Sequence, residues 1–159
     1  MRTDYWLTGE DRILKWGPGP WVDEPDLVEW QHEPSQYPCL LLRQAEMGAW
    51  CGYAGVPPGH PLYGKTASKI NRIVHVHCGV NFAEHAKTTY TLDPAFKDCW
   101  FFGFDAAHAN QDLIPQYIQM GLQGLIKDTV YRDFRYMREQ AEILAQGLWE
   151  YCNHQKGDT

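Results

Sequence analysis

At residues 100–108 the chain reads Trp100-Phe101-Phe102-Gly103-Phe104-Asp105-Ala106-Ala107-His108. Aromatic side chains favour strands because they pack well on a pleated, half-buried surface. The run therefore predicts a strand at 98–104 that stops at Asp105. Loops at the ends of buried strands are where scaffolds usually present chemical groups. Asp105, His108 and the nearby Asp112 are therefore candidate ligand-binding residues, although Asp105 would also serve as a cap for the turn that follows.

A second strand or a bent hairpin is predicted at residues 72–83, where Gly79 permits the bend; these residues include Val74-His75-Val76-His77. Residues two apart on a strand point to the same face, so His75 and His77 are expected to face together. If this strand neighbours the aromatic one, the two histidines converge with Asp105 and His108 on one pocket. We expect ligand-binding roles for both histidines.

The remaining pattern predicts two more strands, at 39–43 and 50–56, and a long helix at 128–152 that begins at Asp128 or Thr129. The helix has apolar residues at spacings of three and four. They are Val130, Phe134, Met137, Ala141, Leu144 and Leu148. We expect a single α+β domain over 1–159, with a mostly antiparallel sheet and the C-terminal helix packed on it.

The same helix carries three arginines, Arg132, Arg135 and Arg138, which are expected to form a solvated face. The alternative is that one of them reaches a ligand phosphate. The apolar stripe is expected to pack in the core, and it is also a candidate surface for a homo-oligomer.

Three other segments lack a regular pattern. Residues 1–37 are rich in tryptophan and proline and predict an irregular N-terminal arm that its tryptophans pin to the core. Residues 57–64 predict a stiff loop, because proline and glycine restrict and shape the backbone there. That loop would hold His60 and Tyr63 in fixed positions. Residues 84–97 predict a polar surface excursion.

Composition narrows the class of function. The formal net charge of −6 disfavours binding to a nucleic acid polymer, whose affinity comes mostly from neutralised phosphates. No apolar run approaches the roughly 20 residues that cross a bilayer, and the N-terminus does not resemble a signal peptide. We therefore expect a cytoplasmic protein without a membrane partner. Five cysteines without Cys-x-x-Cys spacing disfavour a zinc ribbon or a disulfide scaffold.

The aromatic content of 14% is open to two interpretations. Large rings can simply fill the core of a small domain. Alternatively, Trp50, Tyr53 and Tyr63 line a pocket that stacks a flat ligand, since aromatic faces attract bases.

Two reactive arrangements are alternatives to plain binding. His75 and His77, completed by Asp105 and His108, offer mixed nitrogen and oxygen ligands to a metal, or they are merely polar groups on a strand surface. Cys78 beside His77, with His108 and Asp105 elsewhere, resembles a nucleophile arrangement, but that role needs a favoured thiolate, and a buried structural thiol is the preferred interpretation. No nucleotide-cofactor or hydrolase motif is present, so no cofactor is predicted.

Three pieces of this sequence resemble a family of small phage-encoded proteins of unassigned activity. Its pattern is Gly-His-Pro-x-Tyr-Gly, then His-Gly-Gly, then Trp-x-Phe-Gly-Phe-Asp-Cys-Ala-His-x-x-Asp, followed by a C-terminal helix. The matching pieces here are 59–64, 77–79 and 100–108, within about residues 50–150. Cys78 replaces a glycine and Ala106 a cysteine, and one extra residue precedes Asp112. The resemblance implies site roles for His60, Tyr63, His77, Asp105, His108 and Asp112.

Small phage proteins of this kind often counter host defence, so the resemblance implies a sponge in the host cytoplasm that sequesters a small nucleotide-like molecule, such as an immune signal. The alternative is a hydrolase acting on a similar substrate through His77, Asp105 and His108, with or without a metal. A third hypothesis is a protein–protein inhibitor that uses the aromatic residues of 1–37 as interface anchors.

Overall fold

The computed structural model describes residues 1–86, 91 and 93–157, and these form one six-stranded sheet with helices around it. The strands are β1 (Arg2–Asp4), β2 (Leu27–Gln31), β3 (Pro38–Arg43), β4 (Trp50–Val56), β5 (Phe82–His85) and β6 (Trp100–Asp105). The helices are α1 (Gly9–Trp16), α2 (Ala67–Ile70), α3 (Pro115–Gln119), α4 (Gln123–Ile126) and α5 (Phe134–Gly157), with short 3₁₀ turns at Pro20–Asp23 and Pro94–Phe96. The strand order is β1-β2-β3-β4-β6-β5, and every pairing is antiparallel. The predicted α+β fold is confirmed.

The aromatic strand β6 lies between β4 and β5, where rings pack over glycines of the neighbouring strand. Tyr53 of β4 is paired with Gly103 and Gly52 with Phe104. A Cβ on Gly103 would lie 2.5 Å from the Tyr53 ring, and a Cβ on Gly52 would lie 2.5 Å from the Phe104 ring. Only glycine leaves room for these rings at those two positions, so the glycines of β4 and β6 are required by close packing.

The C-terminal helix α5 packs on β3 and β4 through the predicted stripe. Met137, Ala141, Leu144 and Leu148 are fully buried. Val130 is 53% exposed and lies outside the helix. None of the helices among the described residues combines the length and the apolar character needed to span a membrane.

The predicted start of the terminal helix at Asp128 or Thr129 is wrong. The backbone of Val130 bonds instead with the turn at 111–113, accepting the N–H of Leu113 and donating to the carbonyl of Gln111. This forms an isolated bridge with Asp112. The helix starts at Phe134, five or six residues later than predicted, where the Asp133 carboxylate accepts the N–H of Tyr136. Because residues 130–133 are not part of the helix, this segment lies beside Asp112.

The predicted strand at 72–83 is wrong over most of its length, because only Phe82 and Ala83 belong to a strand, β5. Residues 72–80 form a loop that lies on α5, with Val74 and Val76 buried. Its ends are joined by the Asn71 side chain, which accepts the N–H of Val80 (2.7 Å) and donates to its carbonyl (2.8 Å). The alternation of valine and histidine therefore reflects packing on a helix, not a pleated strand.

The N-terminal segment is more regular than predicted, since it contains β1, α1 and β2. Helix α1 begins with a capping box in which Thr8 and Asp11 each accept the other's backbone N–H. Trp16, Trp21 and Trp30 are buried as expected, whereas Trp6 is 44% exposed.

A buried ion-pair network fixes the N-terminal segment to the sheet. Asp26 accepts from Arg12 Nη2 at 2.6 Å and from Arg43 Nε at 3.0 Å, and all three side chains are nearly inaccessible. The predicted polar excursion at 84–97 begins within β5, and its residues 87–90 and 92 lie outside the described residues.

Candidate functional site

The end of strand β6 presents Asp105 and His108 at a partly exposed edge. Asp105 Oδ1 accepts the N–H of Ala107 at 3.0 Å, and its Oδ2 accepts from the Asn81 amide at 2.7 Å. The expected capping role of Asp105 is thus present. His108 Nε2 lies 3.3 Å from Asp105 Oδ1 but without hydrogen-bond geometry, so this buried nitrogen has no hydrogen-bond partner among the described residues.

Asp112 is the buried centre of the site. Its carboxylate accepts from His77 Nε2 (2.9 and 3.0 Å to the two oxygens), from Arg132 Nε (3.0 Å) and from the backbone N–H of His108 (3.0 Å). Burial alone would raise the pKa of Asp112, but these hydrogen bonds outweigh it and hold that pKa below its usual value. Asp112 is therefore an ionised anchor at neutral pH.

Two contacts fix the position of His77. Its backbone N–H donates to the Gln140 side chain at 2.8 Å, and its Nδ1 lies 2.8 Å from the Tyr136 hydroxyl. Because the ionised Asp112 accepts from Nε2, Nδ1 accepts the Tyr136 O–H in the neutral ring. A continuous chain of hydrogen bonds thus runs from Tyr136 through His77 to Asp112.

Arg132 lies at the rim of the site. Its guanidinium carbon is 5.1 Å from the centroid of the Tyr136 ring, a cation–π contact. The side chain is 23% exposed. Only Nε is engaged, with Asp112, and the two terminal nitrogens make no hydrogen bond to any residue the structure describes. They remain available to a ligand.

Cys78 is an exposed thiol in the left-handed backbone region, with φ of 54°. Its sulfur lies 3.6 Å from His77 Nε2 and donates to Gln111 Oε1 at 3.3 Å. Partial burial and the nearby Asp112 carboxylate raise the pKa of this thiol. Arg132 lowers that pKa by less than burial and Asp112 raise it, so this environment opposes the favoured thiolate that a nucleophilic Cys78 needs.

We call this group the His77–Asp112 cluster: His77, Cys78, Asp105, His108, Asp112, Arg132 and Tyr136. The structure brings together four of the residues selected from the sequence, His77, Asp105, His108 and Asp112. The rings of His77 and His108 are 5.9 Å apart between centroids. Of the four residues predicted to converge from the two segments, His77, Asp105 and His108 meet, through a loop and not through two paired strands, whereas His75 does not join them.

The predicted stacking pocket of Trp50, Tyr53 and Tyr63 does not form. Trp50 is fully buried on the α5 side of the sheet, under the Arg43 guanidinium at 4.1 Å. Tyr53 lies three residues along the same strand, hence on the opposite face, against Phe82. Tyr63 donates to the carbonyl of Asp98.

His60 and His75 also lie outside the cluster. His60 is buried, accepts the N–H of Leu62 at Nδ1 and donates to the Leu148 carbonyl from Nε2 at 3.0 Å. It therefore has a structural role in holding the 57–64 loop on α5. His75 is exposed and lines a cleft of about 610 Å³ beside His32. The metal ligand set predicted from His75 and His77 is not assembled.

Two contributors, Arg132 and Tyr136, are not among the site residues selected from the sequence. Arg132 is expected on a solvated helix face, with contact to a ligand phosphate as the alternative, and it lies instead just before the helix, where it bonds to Asp112. Tyr136 is adjacent to the apolar stripe in sequence and has no motif of its own. The one sequence feature that points to Tyr136 is its spacing of four residues from Arg132, which would place both on the same face of a helix.

Comparison with protein-family models, with curated proteins and with solved structures finds no match to this chain. The site is therefore interpreted from its own geometry. The fixed part is Asp112 with its donors. The partly exposed part is the rim formed by Arg132, His108, Asp105 and Cys78.

Proposed function

We propose that the protein binds a small anionic molecule of nucleotide type at the His77–Asp112 cluster and retains it unchanged. One observation carries the proposal. Two nitrogen groups without a hydrogen-bond partner among the described residues, the buried His108 Nε2 and the terminal nitrogens of Arg132, lie beside one buried carboxylate. A phosphate would accept from both groups, since a guanidinium fork matches phosphate oxygens in geometry and charge.

The neighbouring acceptor supports a ligand that carries hydroxyl groups as well as phosphate. Asp105 is 24% exposed in its side chain and already accepts two hydrogen bonds, leaving lone pairs for a ribose hydroxyl. Aromatic stacking has less support, because Trp50, Tyr53 and Tyr63 do not reach the cluster. The ligand would therefore be recognised through hydrogen bonds and charge, and not through aromatic stacking.

Retention without reaction is supported by the protonation of the candidate nucleophiles. The pKa values of Cys78 and Tyr136 are both raised, chiefly by burial, so both groups carry their protons at neutral pH. His77 and Asp112, which lie beside these groups, are each held by several hydrogen bonds. Preorganised donors lower the ordering cost of binding and favour tight capture. The resemblance to small phage-encoded proteins extends the proposal to a host immune signal as the ligand.

Thermal shift with a panel of cyclic dinucleotides, ADP-ribose, ADP and inorganic phosphate tests the proposal. A ligand at 100 times its Kd adds about 2.7 kcal/mol of stability. Arg132→Lys and His108→Gln are expected to weaken binding by about tenfold or more, the value of a charged hydrogen bond. Arg135→Gln and His75→Gln are matched controls on exposed residues outside the cluster. Equal affinity in all four variants, or no response to any compound, would refute the proposal.

A hydrolase acting on the same ligand class is the second candidate. The specific observation in its favour is the 3.3 Å approach of Asp105 to His108 Nε2, since a carboxylate beside a partly exposed imidazole suits general base catalysis. Mass spectrometry of the ligand after incubation and heat release distinguishes the two. An intact ligand supports sequestration, and a cleaved one, lost in His108→Gln, supports hydrolysis.

A further inference from the structure

Three different metal-ligating atoms meet at the floor of the cluster. His77 Nε2, Cys78 Sγ and an Asp112 carboxylate oxygen all lie within 4.8 Å of one another. His77 and Asp112 are buried, whereas Cys78 opens to the surface. We propose that these three residues bind one zinc ion, with the fourth position left to water or to a ligand.

The separation of the His77 and Cys78 ligand atoms fits tetrahedral coordination. Zinc bonds of about 2.0–2.1 Å to nitrogen and about 2.3 Å to sulfur separate the two ligand atoms by about 3.6 Å. The observed distance between Cys78 Sγ and His77 Nε2 is 3.6 Å. The carboxylate oxygens of Asp112 lie 2.9 and 3.0 Å from the same nitrogen, so a small outward shift admits the ion.

Cys78 is held in the position that this site needs. Its left-handed backbone, at φ of 54°, is unusual for a residue with a side chain and turns the sulfur back toward the preceding histidine. Gly79 follows with φ of 84°, so the chain reverses immediately after the thiol. Two consecutive ligands on one turn would otherwise point apart.

The surrounding contacts suit bound zinc. Metal-bound histidines usually donate their other ring N–H to a neighbouring acceptor. The Tyr136 oxygen is 2.8 Å from His77 Nδ1 and takes that place once the proton sits on Nδ1. Arg132 Nε and the N–H of His108 continue to orient the Asp112 carboxylate.

The protons balance in a simple way. Zinc takes the lone pair of His77 Nε2, so the ring proton sits on Nδ1 in the bound state. Cys78 loses its thiol proton to water, and Asp112 is already ionised. The thiol proton is therefore released when the zinc ion binds. The mixture of imidazole, thiolate and carboxylate favours zinc over magnesium or calcium, which prefer oxygen ligands alone.

The zinc proposal is tested with metal alone and does not depend on a nucleotide ligand. Tag-free protein, kept reduced, is titrated with Zn²⁺ by native mass spectrometry and by competition with a chromophoric chelator. Cys78→Ala removes one ligand, and Cys51→Ala, a half-buried thiol on β4, is the matched control. Loss of an outer-shell partner already costs about 10–100-fold in metal affinity. Cys78→Ala should therefore weaken zinc binding at least tenfold, and Cys51→Ala should leave it unchanged.

Cobalt substitution gives a second, spectroscopic readout. Bound Co²⁺ should show a near-ultraviolet sulfur-to-metal absorption band in the wild type and in Cys51→Ala, and none in Cys78→Ala. Melting of each metal-free variant verifies that it is folded. The proposal is overturned if the wild type does not retain one zinc ion at micromolar concentration, or if Cys78→Ala binds zinc or shows the cobalt band as the wild type does.

Discussion

Replacing Asp112 with asparagine is expected to lower the free energy of unfolding by about 2–4 kcal/mol. The carboxylate accepts from His77, from Arg132 and from the backbone N–H of His108. Asparagine keeps one acceptor oxygen and turns an NH₂ group toward the remaining donors. Each lost bond to a charged group costs about 1.5–3 kcal/mol. The Arg132 contribution is discounted, because that side chain is 23% exposed and screened by water.

The assay is thermal and urea unfolding of the metal-free protein. A chain of this size loses about 2–4 °C in melting temperature for each kcal/mol, so Asp112→Asn should melt about 5–15 °C below the wild type. Asp105→Asn is the control at the partly exposed edge and should stay within about 1 kcal/mol of the wild type. If Asp112→Asn melts within 2 °C of the wild type, Asp112 is not the anchor of the cluster.

Three further perturbations test other parts of the account. Gly147→Ala places a Cβ 2.8 Å from Val74. Overpacking costs about 1–3 kcal/mol and alanine adds about 1 kcal/mol of helix propensity, so urea unfolding should show a net loss of up to about 2 kcal/mol, and a more stable variant would contradict it. Burial lowers the pKa of His60, so as the pH falls below about 6.5 the unfolded chain binds a proton that the folded chain does not, and stability falls. His60→Gln should therefore lose less melting temperature than the wild type between pH 7.5 and 5.5, and an identical pH profile would contradict the assignment. Asp26→Asn strands the two guanidinium groups of its buried network and should cost about 3–5 kcal/mol by thermal unfolding, whereas a change below 1 kcal/mol would show that the network is dispensable.

The sequence predicts those strands and helices whose side chains follow a regular spacing. The strands at 39–43 and 50–56 and the buried stripe of α5 follow directly from side-chain spacing. The segment 72–80 is not a strand because its backbone bonds to the side chains of Asn71 and Gln140 and to carbonyls of nearby turns, and not to a neighbouring strand. No local pattern announces hydrogen bonds of that kind.

The sequence predicts only part of the site. His77, Asp105, His108 and Asp112 stand out because polar groups at the ends of apolar segments are conspicuous in a sequence. Arg132 was assigned to a helix that starts later than its pattern indicates, because Val130 bridges to Asp112. The predicted stacking pocket is wrong for a different reason. Residues 50 and 53 of one strand necessarily face opposite sides of the sheet.

The most direct test of the account is native mass spectrometry of the wild type and of Arg132→Lys after incubation with ADP-ribose and cyclic dinucleotides, followed by heat release of whatever is bound. We expect the wild type to hold one nucleotide-type ligand per cluster, to release it with its mass unchanged, and to hold it at least tenfold more tightly than Arg132→Lys does. Binding that ignores the Arg132 substitution, or no retained nucleotide at all, would contradict the claim that the His77–Asp112 cluster is an anion-binding site.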